Sequence, residues 1–385
     1  MKRIVDPDDF PASRKSAYLN TASVTLMYRG AETAAAKWMA DLATDGTITF
    51  DELAEESVFG GLHRATAELL NAHEEDIAVG SSATELMASL AWAVAPDRTS
   101  NIVSTSIAFP STIYPWIRVA RHTGAEVRFA EGQGEYVDPD KVIELIDDQT
   151  AVVCISHVEY SGGQQYDLTR LARHAHEHGA LLVIDGAQSL GAIPTDVTAS
   201  GVDALVASGY KWLCGPFGVA VMYLAPHLQG RLDPGVVGFR SHEDMWDLQA
   251  TRLELPETAR RFEPSTMAYG CAVGLAESIK YLLHVGIARI RDHNMHLADL
   301  LIDGLRERRA DILGPRTDEE RTSIVAARFP DCDPAEMAQR LNAARVVVSA
   351  RQSTVRFSPH LYHEPADVER ALEEIDRARG NTAAD

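Results

Sequence analysis

Cysteine is scarce in this chain, and its four copies stand far apart. Cys154, Cys214, Cys271 and Cys332 form no C-x-x-C pair. Closely spaced cysteines are the usual signature of a structural zinc site or of a disulfide framework. The spacing therefore argues against both kinds of site, and no metal is expected.

Long apolar runs and basic charge are lacking as well. No stretch reaches the length of a membrane span, and the opening Met-Lys-Arg-Ile-Val-Asp-Pro-Asp-Asp lacks the apolar segment of a signal peptide. The formal net charge is −20, from 36 basic and 56 acidic residues, whereas nucleic-acid binding requires basic patches. We therefore expect neither a membrane nor a nucleic-acid partner, and a cytoplasmic location follows by default.

The composition that is present is that of an ordinary globular protein. The 385 residues are 45% hydrophobic and 24% charged. A chain of this length exceeds one compact core and usually divides into two domains. We expect a large domain over residues 20–256 and a smaller C-terminal domain over residues 257–385, which residues 1–19 join in space.

Strand-like and helix-like segments alternate along the first two thirds of the chain. Apolar β-prone runs at 101–104 and 151–156 are followed by helical patterns at 112–122 and 168–178. This alternation predicts a mostly parallel sheet with helices on both faces. After residue 256, helical patterns at 267–284 and 287–308 precede shorter strands, which indicates an α+β arrangement.

A carboxylate and an amine follow two of the predicted strands. The run Leu-Leu-Val-Ile ends in Asp185, and Ala-Leu-Val-Ala is followed by Ser208 and then Lys211. Charged groups at the carboxyl ends of strands face the crevice where open α/β sheets bind ligands. Pyridoxal phosphate (PLP) needs such a pair, because a lysine forms its Schiff base and an aspartate keeps its ring nitrogen protonated. Taken alone, the pair could also be two surface residues in ordinary loops.

Longer motifs surround this pair. They are Asp-Gly-Ala-Gln-Ser-Leu-Gly (185–191), Ser-Gly-Tyr-Lys-Trp-Leu-Cys-Gly-Pro-Phe-Gly-Val (208–219), Arg-Phe-Glu-Pro-Ser-Thr (261–266) and Val-Arg-Phe-Ser-Pro-His (355–360). In this order they resemble the class V aminotransferase family of PLP-dependent enzymes, which includes cysteine desulfurases, kynureninases and isopenicillin-N-epimerase-like proteins. The resemblance extends from about Leu19 to Tyr362. It implies PLP fold type I, with a mostly parallel seven-stranded sheet in a large α/β domain and a smaller α+β C-terminal domain.

A phosphate site is expected where residues 79–84 lead from a strand into a helix. Free N–H groups and the helix dipole favour an anion there, although on the local sequence alone an ordinary helix N-cap is the better explanation. In register with the family, Ala83 and Thr84 would contact the cofactor phosphate. Ser208 and Tyr210 would complete this site from the other side.

The resemblance also implies roles for the remaining cofactor contacts. Phe109 would stack on the cofactor ring, and Gln188 would donate to its phenolate oxygen. Lys211 and Asp185 would be the catalytic residues. Thr266 would reach the cofactor phosphate of a neighbouring subunit, which implies a homodimer with its active sites at the interface.

An arginine near the C-terminus is the expected substrate contact. The family uses the residue at Arg356 to bind the α-carboxylate of an amino-acid substrate, and a guanidinium suits two-point recognition of a carboxylate. Arg351 is an alternative for the same role.

The segment between Val346 and Arg356 runs straight through, without cysteine. Similar desulfurases insert a loop there that carries a nucleophilic cysteine. We therefore predict that the protein is not a persulfide-forming desulfurase and that it cleaves a C–S bond of an S-substituted cysteine by β-elimination, through a Lys211 aldimine. An aminotransferase or epimerase on the same scaffold is the alternative. A cofactor-binding homologue without turnover is disfavoured, because the expected site residues are all retained.

Overall fold

The fold follows from the apolar runs and the turn residues that bound them. The computed structural model describes residues 3–380. Its strands are β1 (Ala17–Tyr18), β2 (Ile77–Gly80), β3 (Asn101–Thr105), β4 (Glu126–Ala130), β5 (Thr150–Ser156), β6 (Leu181–Asp185), β7 (Ala204–Ser208), β8 (Ala220–Leu224), β9 (Asp311–Leu313), β10 (Val325–Arg328), β11 (Val346–Val347), β12 (Ser349–Arg351) and β13 (Thr354–Phe357). Its α-helices are α1 (Arg29–Asp45), α2 (Glu52–Ser57), α3 (Gly60–Leu70), α4 (Ala83–Val94), α5 (Pro110–Thr123), α6 (Pro139–Glu144), α7 (Leu168–Glu177), α8 (Val197–Ser200), α9 (Tyr269–Val285), α10 (Ile287–Glu307), α11 (Pro334–Ala343) and α12 (Pro365–Gly380).

Seven strands form the central sheet, in the order β2-β8-β7-β6-β5-β3-β4. Strands β3 to β7 run parallel, while β8 lies antiparallel to both of its neighbours. Helices cover both faces, so the inner strands are apolar on both sides rather than alternating. The mostly parallel seven-stranded sheet expected from the sequence is confirmed.

Local sequence sets where the helices that flank the site begin and end. Helix α4 begins after Ser82, whose side chain accepts a hydrogen bond from the Glu85 N–H. Helix α5 begins at Pro110, two residues before the predicted start, because proline fits the first turn of a helix. It ends at Thr123, and the Gly124 that follows has a φ of 90°, a left-handed conformation that favours glycine.

A second, four-stranded antiparallel sheet has the order β12-β13-β10-β9. It packs with α10, α11 and α12 around a separate core that includes Leu19, Leu301 and Val355. Strand β1 pairs with β11, so the N-terminal segment reaches this part of the molecule. We propose a division into domains at residues 256 and 257 with residues 1–19 in the smaller unit, although α9 packs against α1 and α3 in the larger core.

Helix length and composition also bear on membrane insertion. None of the helices in residues 3–380 is both long and apolar enough to cross a membrane by itself. Helices α9 and α10 have the length and apolar composition of a membrane span only when they are taken together, and they are bent by 77° relative to each other.

Candidate active site

Strand register brings the predicted site residues to one edge of the central sheet. Asp185 is the last residue of β6, and Ser208 is the last residue of the neighbouring strand β7. Ala220 of β8 pairs with both Ser208 and Gly80, the last residue of β2. Strands β2 and β7 run in the same direction, so helix α4, which follows β2, begins at the edge of the sheet where Ser208 lies. Lys211 follows Ser208 by three residues in the chain.

Asp185 is buried, and its carboxylate is held from two sides. The Thr112 hydroxyl donates to Oδ2 at 2.6 Å, and the backbone N–H of Ala187 donates to Oδ1 at 2.9 Å. These two donors fix the orientation of the carboxylate at the strand end. The sequence analysis did not assign Thr112 a role, although a hydroxyl in the first turn of the helix that follows Phe109 was a signal that could have been used.

Lys211 interacts electrostatically with this carboxylate and is 8% exposed. Its Nζ is 5.4 Å from the centre of the Phe109 ring. Burial lowers the pKa of Lys211 to about 8, Arg356 and Arg351 contribute to the lowering, and Asp185 opposes it. The neutral amine is the nucleophilic form of a lysine, so this environment favours the reactive species near neutral pH.

Phe109 and Gln188 differ in how much of each is available to a ligand. Phe109 is 38% exposed and contacts Tyr160 edge-on at 5.2 Å between ring centres. Gln188 is buried, where its Nε2 donates to the Ala22 carbonyl at 2.9 Å and its Oε1 accepts from Trp212 Nε1 at 2.7 Å. One N–H of the Gln188 amide is left for a ligand, and the cofactor role of each residue stays a prediction.

The residues expected to bind the cofactor phosphate lie at the same edge of the sheet as the buried hydroxyl of Ser208. Ser208 Oγ is buried and has no partner of good hydrogen-bond geometry among residues 3–380, although the Tyr210 side chain lies within its range of interaction. Ala83 and Thr84 open helix α4 nearby, where free backbone N–H groups favour an anion. Tyr210 stacks on Phe217 with ring centres 4.5 Å apart. A buried amine, a fixed carboxylate, an aromatic face and these donors fit PLP.

Arg356 is 1% exposed and lies on strand β13. It donates from Nη1 to the Tyr160 carbonyl and from Nη2 to Ser23 Oγ at 2.6 Å, while its Nε has no partner in the described chain. Burial lowers its pKa to about 9, and the neighbouring Arg351 adds to the effect. Arg351 also donates to Ser23 Oγ, at 3.0 Å. The sequence analysis missed Ser23, which the contacts of Asn20 and Ala22 with Ser358 bring to the end of β13.

Thr266 lies on the surface, on a segment that is anchored from the inside. Glu263 is buried, and its Oε1 accepts from the Val79 N–H at 2.8 Å and lies 2.6 Å from His63 Nε2. The chain then emerges, and Thr266 is exposed. An exposed threonine here is compatible with contact to a second subunit, which stays a prediction.

Two features bear on whether a cysteine of this chain could act as the nucleophilic thiol. They are the β12–β13 connection and the environment of the four cysteines. Arg351 pairs with Thr354, so only residues 352 and 353 form the turn and no loop is inserted. Cys154 and Cys214 are fully buried, whereas Cys271 and Cys332 are partly buried. Burial raises the pKa of all four thiols, that of Cys214 to about 12. None of the four is therefore an activated thiolate.

Comparison with known proteins gives the class. The family described as Aminotransferase class-V matches residues 30–372. The chain belongs to this family, and it is a PLP-dependent enzyme, as the motifs predicted.

Individual relatives are named for sulfur chemistry. The chain is 28% identical over 328 residues to a probable cysteine desulfurase of Pyrococcus abyssi, covering 80% of each chain. It is 30% identical over 352 residues to a probable cysteine desulfurase of Streptomyces coelicolor, covering 85% of this chain and 83% of the relative.

Solved structures share the fold. The apo cysteine desulfurase of Thermococcus onnurineus NA1 superposes with a TM-score of 0.88 at 24% identity, covering 97% of each chain. The cystine C-S lyase C-DES, in complex with its reaction product cysteine persulfide, has a TM-score of 0.86 at 22% identity and covers 95% of this chain and 98% of that one.

These findings correct the reaction predicted from the sequence. The prediction of an enzyme that is not a persulfide-forming desulfurase is wrong, because the relatives are named cysteine desulfurases. Its premise was the missing cysteine before Arg356. That premise is too narrow in physical terms, since persulfide formation needs a thiol close to the departing sulfur and does not require that thiol to lie on one segment of the chain.

Proposed function

We propose that this protein cleaves the Cβ–S bond of cysteine in the manner of a cysteine desulfurase. The sulfur would pass to a thiol that does not belong to the chain, leaving alanine. The observation that carries the proposal is the convergence of Lys211, Asp185 and Arg356 in a site that fits PLP. The names of the relatives support the choice of cysteine as the amino acid.

The site residues have distinct tasks in this reaction. When bound, PLP withdraws electrons from the Cα of the amino acid. Arg356 would bind the substrate carboxylate, and its unpartnered Nε is a donor still available for it. Lys211, which is buried and has a lowered pKa, would take the proton from Cα and return it. Asp185, fixed by Thr112 and Ala187, would keep the cofactor ring nitrogen protonated.

The sulfur step is balanced by an external thiol. The acceptor thiolate attacks the cysteine sulfur, the Cβ–S bond breaks, and Cβ takes up a proton, so that cysteine and a thiol give alanine and a persulfide. No oxidant is required. The buried cysteines of high pKa support an acceptor from outside the chain.

The test is product analysis of the PLP-loaded enzyme with cysteine and an excess of dithiothreitol. We expect alanine and sulfide in equal amounts, lost in Lys211→Ala and retained when Cys271 and Cys332 are both replaced by alanine. Release of pyruvate in place of alanine, or transfer of the amino group to a 2-oxoacid, would overturn the proposed reaction. Loss of alanine formation in the double cysteine variant would overturn the external acceptor.

We also propose a homodimer with Thr266 facing the partner's cofactor. Exposed aromatic residues near the site, Tyr114 and Phe217, support a covered surface, since they are 63% and 60% exposed in a single chain. Light scattering with and without PLP should show a dimer that Thr266→Ala loosens, because a ligand held by both subunits stabilises their association. An active monomer that binds PLP tightly would contradict this.

A cytoplasmic location belongs to the same proposal. All four cysteines are free, as is usual in proteins of a reducing compartment. Fractionation of cells that express the protein at its natural level would test the location directly.

A further inference from the structure

A series of hydrogen bonds runs from the C-terminal part of the molecule to the segment that carries the reactive lysine. Asn294 of helix α10 and His360, which follows strand β13, are both buried, and Asn294 Nδ2 lies 3.1 Å from His360 Nδ1. His360 Nε2 lies 3.1 Å from the carbonyl oxygen of Trp212, the residue after Lys211. Trp212 is 1% exposed, and its Nε1 lies 2.7 Å from Gln188 Oε1. The series therefore ends on an amide that is expected to contact the cofactor.

The donor and the acceptor of the first two bonds follow from the chemistry of the groups. A carbonyl oxygen only accepts, so His360 Nε2 carries the proton that is donated to Trp212. Burial lowers the pKa of His360 to about 3, so the ring is neutral and its Nδ1 is an acceptor. Asn294 must then turn its NH₂ group towards the ring, and its Oδ1 is buried without a partner within residues 3–380. The imidazole and the Asn294 amide thus each have one defined orientation.

Trp212 determines in the same way which end of the Gln188 amide is free to donate. An indole N–H is a donor only, so the amide oxygen of Gln188 must face it. The amide nitrogen donates one N–H to the Ala22 carbonyl at 2.9 Å, and its second N–H remains for a ligand. An amide turned end over end would place two donors against each other at Trp212 and two acceptors against each other at Ala22.

Packing holds the indole in this position. The His360 ring meets the Trp212 ring edge-on, with 5.0 Å between ring centres. Trp212 also belongs to a small apolar cluster that includes Ala22 and Ile324. A phenylalanine at residue 212 would keep part of this packing and lose the donor, so the two contributions of the indole can be separated.

We propose that Trp212, held by His360, is a positioning residue that keeps an N–H of Gln188 directed at the phenolate oxygen of PLP. A donor at this oxygen withdraws negative charge that would otherwise stabilise a proton on the nitrogen joining Lys211 to the cofactor. The hydrogen bond therefore lowers the pKa of that nitrogen. The proposal extends the predicted contact of Gln188, and it does not depend on which amino acid reacts or on where its sulfur goes.

The first measurement follows the indole N–H resonances of the five tryptophans in the ¹⁵N-labelled, PLP-loaded protein. Gln188→Met should move one of these resonances upfield and speed its exchange with water, because the Trp212 N–H loses its acceptor. Trp212→Phe should remove the same resonance and so assign it. Trp92→Phe is the control, since the Trp92 ring contacts Arg118 and His122 instead, and it should remove a different resonance.

The second measurement is the pH titration of the visible absorption band of the PLP-loaded protein without substrate. Gln188→Met should raise the midpoint by about 0.5 pH unit or more, as the loss of one hydrogen bond predicts. Trp212→Phe should shift it in the same direction, and the double variant should match Gln188→Met alone, because both changes remove one bond to the cofactor. His360→Gln, whose amide can still donate to the Trp212 carbonyl, should stay closer to the wild type than His360→Leu. Trp92→Phe should leave the midpoint unchanged.

Four outcomes would overturn the inference. An unchanged midpoint in Gln188→Met would mean that Gln188 does not contact the phenolate oxygen. A shift in that variant with none in Trp212→Phe would mean that the indole does not orient the amide. Shifts that add in the double variant would mean that the two residues act separately. Indole resonances that Gln188→Met leaves unchanged would mean that the bond between the two side chains is absent.

The test remains decisive if Trp212→Phe does not fold. The indole resonances of Gln188→Met and the midpoints of the two His360 variants are measured with the tryptophan in place. Failure of the cysteine reaction with these results intact would contradict the proposed function alone, so the two failures are distinguishable.

Discussion

The two sides of the active site differ in how well their charges are satisfied. On one side, the Asp185 carboxylate receives hydrogen bonds from the Thr112 hydroxyl and a backbone N–H. On the other, Arg351 and Arg356 share one hydroxyl, and Arg356 retains a buried N–H without a partner. Buried polar groups are normally paired. The first side is therefore already arranged by the protein, whereas we propose that the second is completed by the carboxylate of the substrate.

Lys211 interacts electrostatically with both of these sides. Its pKa is lowered first by burial, and then by the two arginines, while Asp185 acts in the opposite direction. A substitution on either side should therefore shift the pKa of Lys211, in addition to its direct effect on binding or catalysis.

The largest effect is expected when the residue shared by both sides is removed. Lys211→Ala should abolish turnover and the visible absorption band of the PLP-loaded protein, because the covalent link to the cofactor and the Cα base are lost together. Absorption spectroscopy and alanine formation measure the two losses separately. Turnover by a colourless Lys211→Ala protein would show that Lys211 is not the site lysine.

The next largest effect is expected at Asp185, whose carboxylate the protein already holds in place. Asp185→Asn should keep PLP but lose about 10²-fold or more in kcat, because the amide no longer favours a protonated ring nitrogen. Thr112→Val should lose less, since it frees one carboxylate oxygen and keeps the charge. Thr112→Ser, which retains the hydroxyl, is the matched control for the second variant. A wild-type kcat in Asp185→Asn would contradict the assignment.

These two sides also differ in how far the sequence revealed them. Asp185 ends one apolar run and Lys211 follows another by a few residues, so the parallel direction of the two predicted strands places them at one edge of the sheet. Ser23 could not be found in the same way. It lies more than 300 positions from Arg351 in the chain, and the two meet because the N-terminal segment pairs with β11 and bridges from Asn20 to Ser358. The fold class and the family were predictable from local motifs, whereas contacts between distant segments depended on tertiary packing.

The reaction was the weakest part of the sequence analysis. It was inferred from an absent cysteine, and an absence on one segment says nothing about thiols from elsewhere. Gln188 shows the same limit, because its motif position suggested a cofactor contact but not its bonds to Ala22 and Trp212.

A smaller effect is expected from substitution of Arg356 on the arginine side. Arg356→Gln should raise the KM for cysteine, because it loses the binding free energy of a charge-assisted hydrogen bond, about 1.5–3 kcal/mol. The change in kcat should be smaller. Cysteamine, which lacks the carboxylate, should bind the variant and the wild type equally well. Equal losses for both compounds would indicate that Arg356 supports the fold through Tyr160 and Ser23 instead.

The smallest effect, and the one that compares both sides directly, is a shift in the pH at which Lys211 becomes reactive. The cofactor-free protein should react with PLP at a rate that rises with pH through about 8 and then levels off, because only the neutral amine attacks. Arg356→Gln removes a charge that lowers the pKa of Lys211, so its midpoint should move to higher pH. Asp185→Asn removes a charge that raises this pKa, so its midpoint should move to lower pH. Arg328→Gln, at an exposed side chain that pairs with Asp311, should leave the midpoint unchanged. Shifts of equal sign in the first two variants would show that the opposition between the two sides is wrong.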